Sequence, residues 1–102
     1  MVKSTPWGSA QTMDIMADGI VGYTTASHGG ICLDIIRQRE LNWSDNWLKS
    51  AQWWEEDCDW AIPFYFFRNE IKKDEYYDRS LQSAINTIKN HHPEFAKREG
   101  LI

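Results

Sequence analysis

The sequence lacks the features that would place it in several large functional classes. It has two cysteines, Cys32 and Cys58, without the paired spacing of a zinc site or disulfide framework. Its first twenty residues contain no apolar stretch of the secretory type. No apolar run approaches the length that spans a bilayer. There is no glycine-rich phosphate loop carrying a lysine, no internal repeat and no low-complexity linker. Bases are scarce where a nucleic-acid binder would need them: residues 1–67 hold four against nine acids, and the net charge is −4. A phosphate backbone is therefore a poor partner. These absences lead us to expect free thiols packed as small hydrophobes, a cytoplasmic location and no membrane contact.

What is present fits one domain over residues 1–102, large enough to bury a core without staples. All six tryptophans fall between Trp7 and Trp60, so either the core or a binding surface is rich in them. The acidity is concentrated in one short segment, where Glu55, Glu56, Asp57 and Asp59 lie within five residues.

The pattern predicts an α+β fold, a small antiparallel sheet packed against two or three helices. Residues 1–18 read as irregular, with Thr5-Pro6-Trp7-Gly8 as a turn tucking one ring under the body. "GIVGYTTAS" is rich in β-branched and aromatic residues and reads as a strand. "ICLDII" reads as its return. Gly29-Gly30 between them would supply the positive φ of a tight turn, so residues 19–41 form a hairpin with its tip near 27–30.

From Ser44 the apolar period becomes helical. Trp47, Ala51, Trp54, Cys58, Ala61, Ile62 and Tyr65 recur at three- and four-residue steps. Ser44 is the expected N-cap, with Asp45 in the first turn and Pro63 kinking or splitting the helix. The apolar run 60–67 reads as either buried strand or helix, and the phase of the stripe favours helix. A second amphipathic stripe, Tyr77, Leu81, Ala84, Ile85 and Ile88, gives a helix from about Asp74 to Asn90. Helices thus occupy residues 44–90, and 91–102 read as a tail.

Two constellations carry chemistry. On a helix, Glu55 and Asp59 would be neighbours at i,i+4 and Glu56 and Asp59 at i,i+3, a repulsion for donated backbone N–H groups or a cation to offset. That cation is a basic protein partner, a metal held by carboxylates, or simply Arg37, Arg39 or Lys49. A pair of carboxylates with split pKa values would also suit acid/base chemistry. In Ser27-His28-Gly29-Gly30, adjacent Ser and His do not make a nucleophile–base pair, and the bland reading is a hairpin tip. His91-His92 reads as positive charge at a helix C-terminus.

Together, "TPWGSAQ", "TTASHGGICL" and "WWEEDCDWAI" resemble the motifs of an uncharacterised domain family of bacteria, plasmids and phages. "NTIKNHHPEFAKRE" is similar to that family's closing helix and turn. This chain departs from the pattern in having Trp54 where the family's tyrosine is expected. The resemblance transfers no catalytic role. It implies a small accessory or counter-defence factor of a mobile element, and it singles out His28 and the acidic segment as a pair.

We therefore expect a non-enzymatic binding protein that occupies a protein partner with a basic surface, or a small ligand. No catalytic residue, metal or cofactor is assigned. The binding residues would be His28, Trp7, Trp54, Glu55, Glu56, Asp57 and Asp59, with Trp7 or Trp54 walling the site. The alternative is a metal-assisted hydrolase, or a protein that sequesters a small ligand, using His28 and the carboxylates of 55–59.

Overall fold

The computed structural model describes residues 3–44, 46 and 48–102. Within them are six strands: β1 (Ser4–Thr5), β2 (Gly8–Ser9), β3 (Thr12–Ala17), β4 (Ile20–Thr24), β5 (Gly29–Leu33) and β6 (Trp53–Glu55). The helices are α1 (Ile35–Leu41), α2 (Ala61–Phe66), α3 (Tyr77–His91) and α4 (Pro93–Arg98). The fold is α+β, as the patterning predicts. β1 and β2 form a separate small hairpin, and the main sheet runs β3-β4-β5-β6, antiparallel throughout.

Residues 1–18, expected to be irregular, hold three of these strands. Thr12–Ala17 pairs along β4, with a register shift between Ile15 and Ala17. The pairing is what orders this segment, because Met13 and Ile15 find no core to enter and remain exposed.

Cross-strand partners share a face of a sheet, so the register sorts the side chains. One face carries Ile20 opposite Leu33, and Gly22, Ile31 and Trp54 in one row. Ile20, Leu33 and Trp54 are fully buried there, in one core with Ile62, Phe67, Ile88 and Phe95 from the helical side of the molecule. The other face carries two rows: Met13, Tyr23, Gly30 and Glu55, then Ile15, Val21, Cys32 and Trp53.

The long helix expected from Ser44 does not form. Residues 53–55 are strand β6, residues 56–60 are turn, and the helix begins at Ala61. Asp45 and Trp47 of the expected helix lie outside the described residues. Local bonding explains the outcome. Lys49 adopts a left-handed φ of 54°, which a helix cannot contain. The Asn46 side chain donates to the carbonyls of Ser50 (2.7 Å) and Trp53 (3.1 Å), pinning an irregular loop. Trp54, Ala61, Ile62 and Tyr65 are all buried, as the stripe requires, but they come from two elements.

Residues 61–66 are helix rather than strand. Pro63 falls in the first turn of α2, where its missing N–H costs nothing. The tail is not a polar appendage either. Phe95 and Ala96 of α4 are fully buried. Arg98 fixes α4 to the end of α1 by donating to the carbonyls of Leu41 (3.0 Å) and Asn42 (3.2 Å).

Candidate functional site

The β4–β5 hairpin exists, but its tip is residues 25–28, and both glycines lie inside β5. Thr25 closes the turn: its N–H donates to the His28 carbonyl (2.7 Å), and its hydroxyl bonds the same carbonyl (2.9 Å) and accepts the His28 N–H (3.1 Å). Positive φ occurs at Gly8, Gly19 and Gly100, not at Gly29 or Gly30. Close approach is what these two positions require. A Cβ at Gly29 would lie 2.7 Å from the Tyr23 carbonyl oxygen and 3.3 Å from Glu56 Oε2. One at Gly30 would strike the Trp54 carbonyl and come within 2.5 Å of Trp7 Cη2.

Gly30 therefore seats the indole of Trp7 on the outer face of the sheet. Trp7 meets Trp53 edge to face at 5.7 Å, and Lys3 lies 5.9 Å from the Trp53 ring. The β1–β2 hairpin carries Trp7 there and covers the β5–β6 side of this face. Beside Trp7 opens a cleft of about 420 Å³ lined by Pro6, Trp7, His28, Glu55 and Asp57.

Glu55 is the centre of the cleft's chemistry. It extends from β6 on the same row as Gly30 and is only 8% exposed. Burial pushes its carboxyl above the usual carboxylate range. The Asp57 backbone N–H opposes that rise, the Asp57 charge adds to it, His28 opposes it, and Asp59 adds to it again. Oε1 of Glu55 is shut from solvent without a hydrogen-bond partner, as is Nε1 of Trp7. Two buried, unsatisfied polar atoms in one small cleft cost stability, and an ordered water or an ion is the kind of partner that satisfies them.

His28 stands at the rim. Its Nδ1 is 3.8 Å from Glu55 Oε1 and 3.9 Å from Glu56 Oε1, and both separations exceed hydrogen-bond length. Ligand atoms of these three residues all lie within 4.8 Å of one another. The Glu56 N–H bonds the Gly29 carbonyl at 2.9 Å, which ties the acidic turn to the glycine pair. The pairing of His28 with the acidic segment, expected from the motifs, is thus present. Arg37, one of the bases considered as a neutralising partner, instead pairs with Glu40 and donates to the Asp18 carbonyl.

Two expected site residues stand elsewhere. Trp54 does not wall the cleft: its side chain is fully buried in the core, and its indole N–H donates to the Ala51 carbonyl (3.0 Å). Strand alternation, which helical patterning hid, turns it inward while Trp53 faces out. Asp59 does not line the cleft. It lies 3.5 Å from Nε2 of His92, with both side chains about nine-tenths buried, and that nitrogen also meets the Cys58 carbonyl at 3.2 Å. His91 and His92 do end α3, as the sequence suggests, and the His92 ring packs against the acidic turn. Pro6, missed as a lining residue, is legible only as the neighbour of Trp7. Burial raises the pKa of both cysteine thiols, with Asp59, Asp57 and Glu55 adding to the rise at Cys58. Neither thiol is an activated nucleophile.

Fold and cleft together define a small α+β domain with an acidic, aromatic-walled cleft among its described residues. The chain belongs to a domain family of unknown function, DUF7007, whose model matches residues 1–100. No curated protein and no solved structure matches it. No described helix is long and apolar enough to cross a membrane.

Proposed function

We propose that this chain is a non-enzymatic binding domain that docks a protein partner on the outer face of its sheet and takes a basic side chain of that partner into the cleft beside Trp7. One observation carries the reading: the helices cover only one face of the sheet, and the opposite face presents an apolar stripe that runs into the acidic cleft. Met13 and Ile15 are 61% and 60% exposed on that stripe, with Val21 and Tyr23 half-buried beside them. Contiguous apolar surface rimmed by charge is the usual form of an interaction surface.

The cleft supplies selectivity. A lysine or arginine entering beside the Trp7 ring meets the exposed carboxylate of Asp57. Glu56 and Asp57, both exposed, would steer a basic partner to the site. An inhibitor that works by occupying its target fits this form of binding, and the accessory or counter-defence role implied by the motif resemblance falls within the proposal.

The test is capture from the native host with wild-type bait and two surface variants, Ile15→Lys and Asp57→Lys. A single partner enriched by the wild type and lost with both variants, each with an unchanged circular dichroism spectrum, supports the reading. A partner retained by both variants contradicts it.

A further inference from the structure

We propose that His28, Glu55 and Glu56 form a site for one divalent transition-metal cation of the zinc type. It goes beyond partner docking, since it needs only the ion and these three side chains.

The donor set selects the ion class. One imidazole nitrogen and two carboxylate oxygens suit zinc and its neighbours, whereas magnesium and calcium favour all-oxygen shells of six or more ligands. Two carboxylates with a neutral imidazole balance the charge of a divalent ion. A water or a ligand atom would complete four-coordination.

The geometry is close to that shell. Bonds of about 2.1 Å to a tetrahedral ion place ligand atoms about 3.4 Å apart. His28 Nδ1 lies 3.8 Å from one carboxylate oxygen and 3.9 Å from the other. It is nearly equidistant from two acceptors and too far to hydrogen-bond either, which is the arrangement an ion between them needs. Closing the shell requires the ligand atoms, now within 4.8 Å of one another, to draw together, and His28 and Glu56, whose side chains are about half exposed, are free to adjust.

A second observation points to the same place independently. Glu55 Oε1, one of the atoms facing His28 Nδ1, is buried and has no hydrogen-bond partner, in a residue only 8% exposed. A cation there would satisfy an atom that the fold leaves unsatisfied. The supports are rigid. Glu55 is paired in β6, the Glu56 N–H is bonded to the Gly29 carbonyl, and the His28 N–H is bonded to Thr25. Replacing Gly29 would push into Tyr23 and crowd Glu56 Oε2, so the glycine keeps room for the second carboxylate.

The experiment is calorimetric titration of chelator-stripped protein with zinc, alongside cobalt(II) absorption spectra. The expected result is one ion per chain with tetrahedral cobalt bands. His28→Ala and Glu55→Gln should each weaken zinc binding by about a hundredfold, since removing a ligand costs at least what removing a ligand's support does. His28 sits in an exposed turn, so its variant folds and carries the test even if Glu55→Gln does not. Absence of zinc binding, binding that survives His28→Ala, or thiolate-to-cobalt charge-transfer bands reporting Cys32 or Cys58 would each overturn the site. Partner capture in the presence of chelator reads the docking proposal by itself, so the two can fail separately.

Discussion

The indole of Trp7 occupies the space that any side chain at Gly30 would fill. A Cβ at Gly30 would lie 2.5 Å from Trp7 Cη2 while striking the Trp54 carbonyl on the paired strand. One glycine thus sets both the pairing of β5 with β6 and the wall of the cleft. Gly30→Ala should destabilise the fold by about 2 kcal/mol or more, because the contact on one side is backbone and cannot yield. Denaturant unfolding followed by tryptophan fluorescence checks this. Unchanged stability would mean that Trp7 is not seated on Gly30.

Glu55 contributes an opposite effect. Its carboxyl is held above its ordinary pKa chiefly by burial, so ionisation at neutral pH costs folding free energy. Metal-free Glu55→Gln should be more stable than the wild type at pH 7. The sign follows from linkage. Because the folded pKa lies above the unfolded one, the penalty is present above the folded pKa and disappears as pH falls below the unfolded value. The advantage of Glu55→Gln should therefore vanish near pH 4, the ordinary carboxylate range. Thermal melts of both proteins in chelator between pH 4 and 8 measure it.

Asp59 and His92 join the acidic turn to the C-terminal end of α3, at 3.5 Å and largely out of water. Removing either partner leaves a buried polar group behind. His92→Ala and Asp59→Ala should each cost about 2 kcal/mol, and the double variant should cost clearly less than their sum. Urea unfolding of the four proteins completes the cycle. Strict additivity would show that the pair does not interact.

Charge at the rim should govern how fast a partner arrives. Glu56→Lys with Asp57→Lys reverses two exposed charges without touching the core. Association should slow by about tenfold or more at low ionic strength, with the difference shrinking as salt rises. Stopped-flow or surface-based kinetics over a salt series give the answer. Equal rates at low salt would remove steering from the account.

Much of this fold is legible in the chain itself, for identifiable reasons. The β4–β5 hairpin and α3 have strong single-period patterns, and both are present. The segment 44–65 misleads because Trp54, Ala61, Ile62 and Tyr65 are spaced like a helix face while coming from a strand and a separate helix. What breaks the helix is the positive φ of Lys49 and the loop bonds of Asn46, which depend on three-dimensional context. The strand in residues 12–17 hides because its outward residues are apolar and exposed, which blurs the alternation. At the site, His28, Glu55, Glu56 and Asp57 are recognisable as chemistry-bearing. Which of the adjacent tryptophans faces out is not legible until β6 is known to be a strand. Likewise, Gly29-Gly30 looks like turn chemistry, and only the packing of Trp7 and Trp54 shows it to be clearance.

Photo-crosslinking in the native host tests the docking claim most directly. A photoreactive residue is placed in turn at Ile15 on the apolar stripe, at Asp57 beside the cleft, and at Gln82 on the exposed side of α3 as a control. Ile15 and Asp57 should crosslink the same protein, through a peptide carrying lysine or arginine, and Gln82 should not. No crosslink from the first two positions, or the same products from all three, would contradict it.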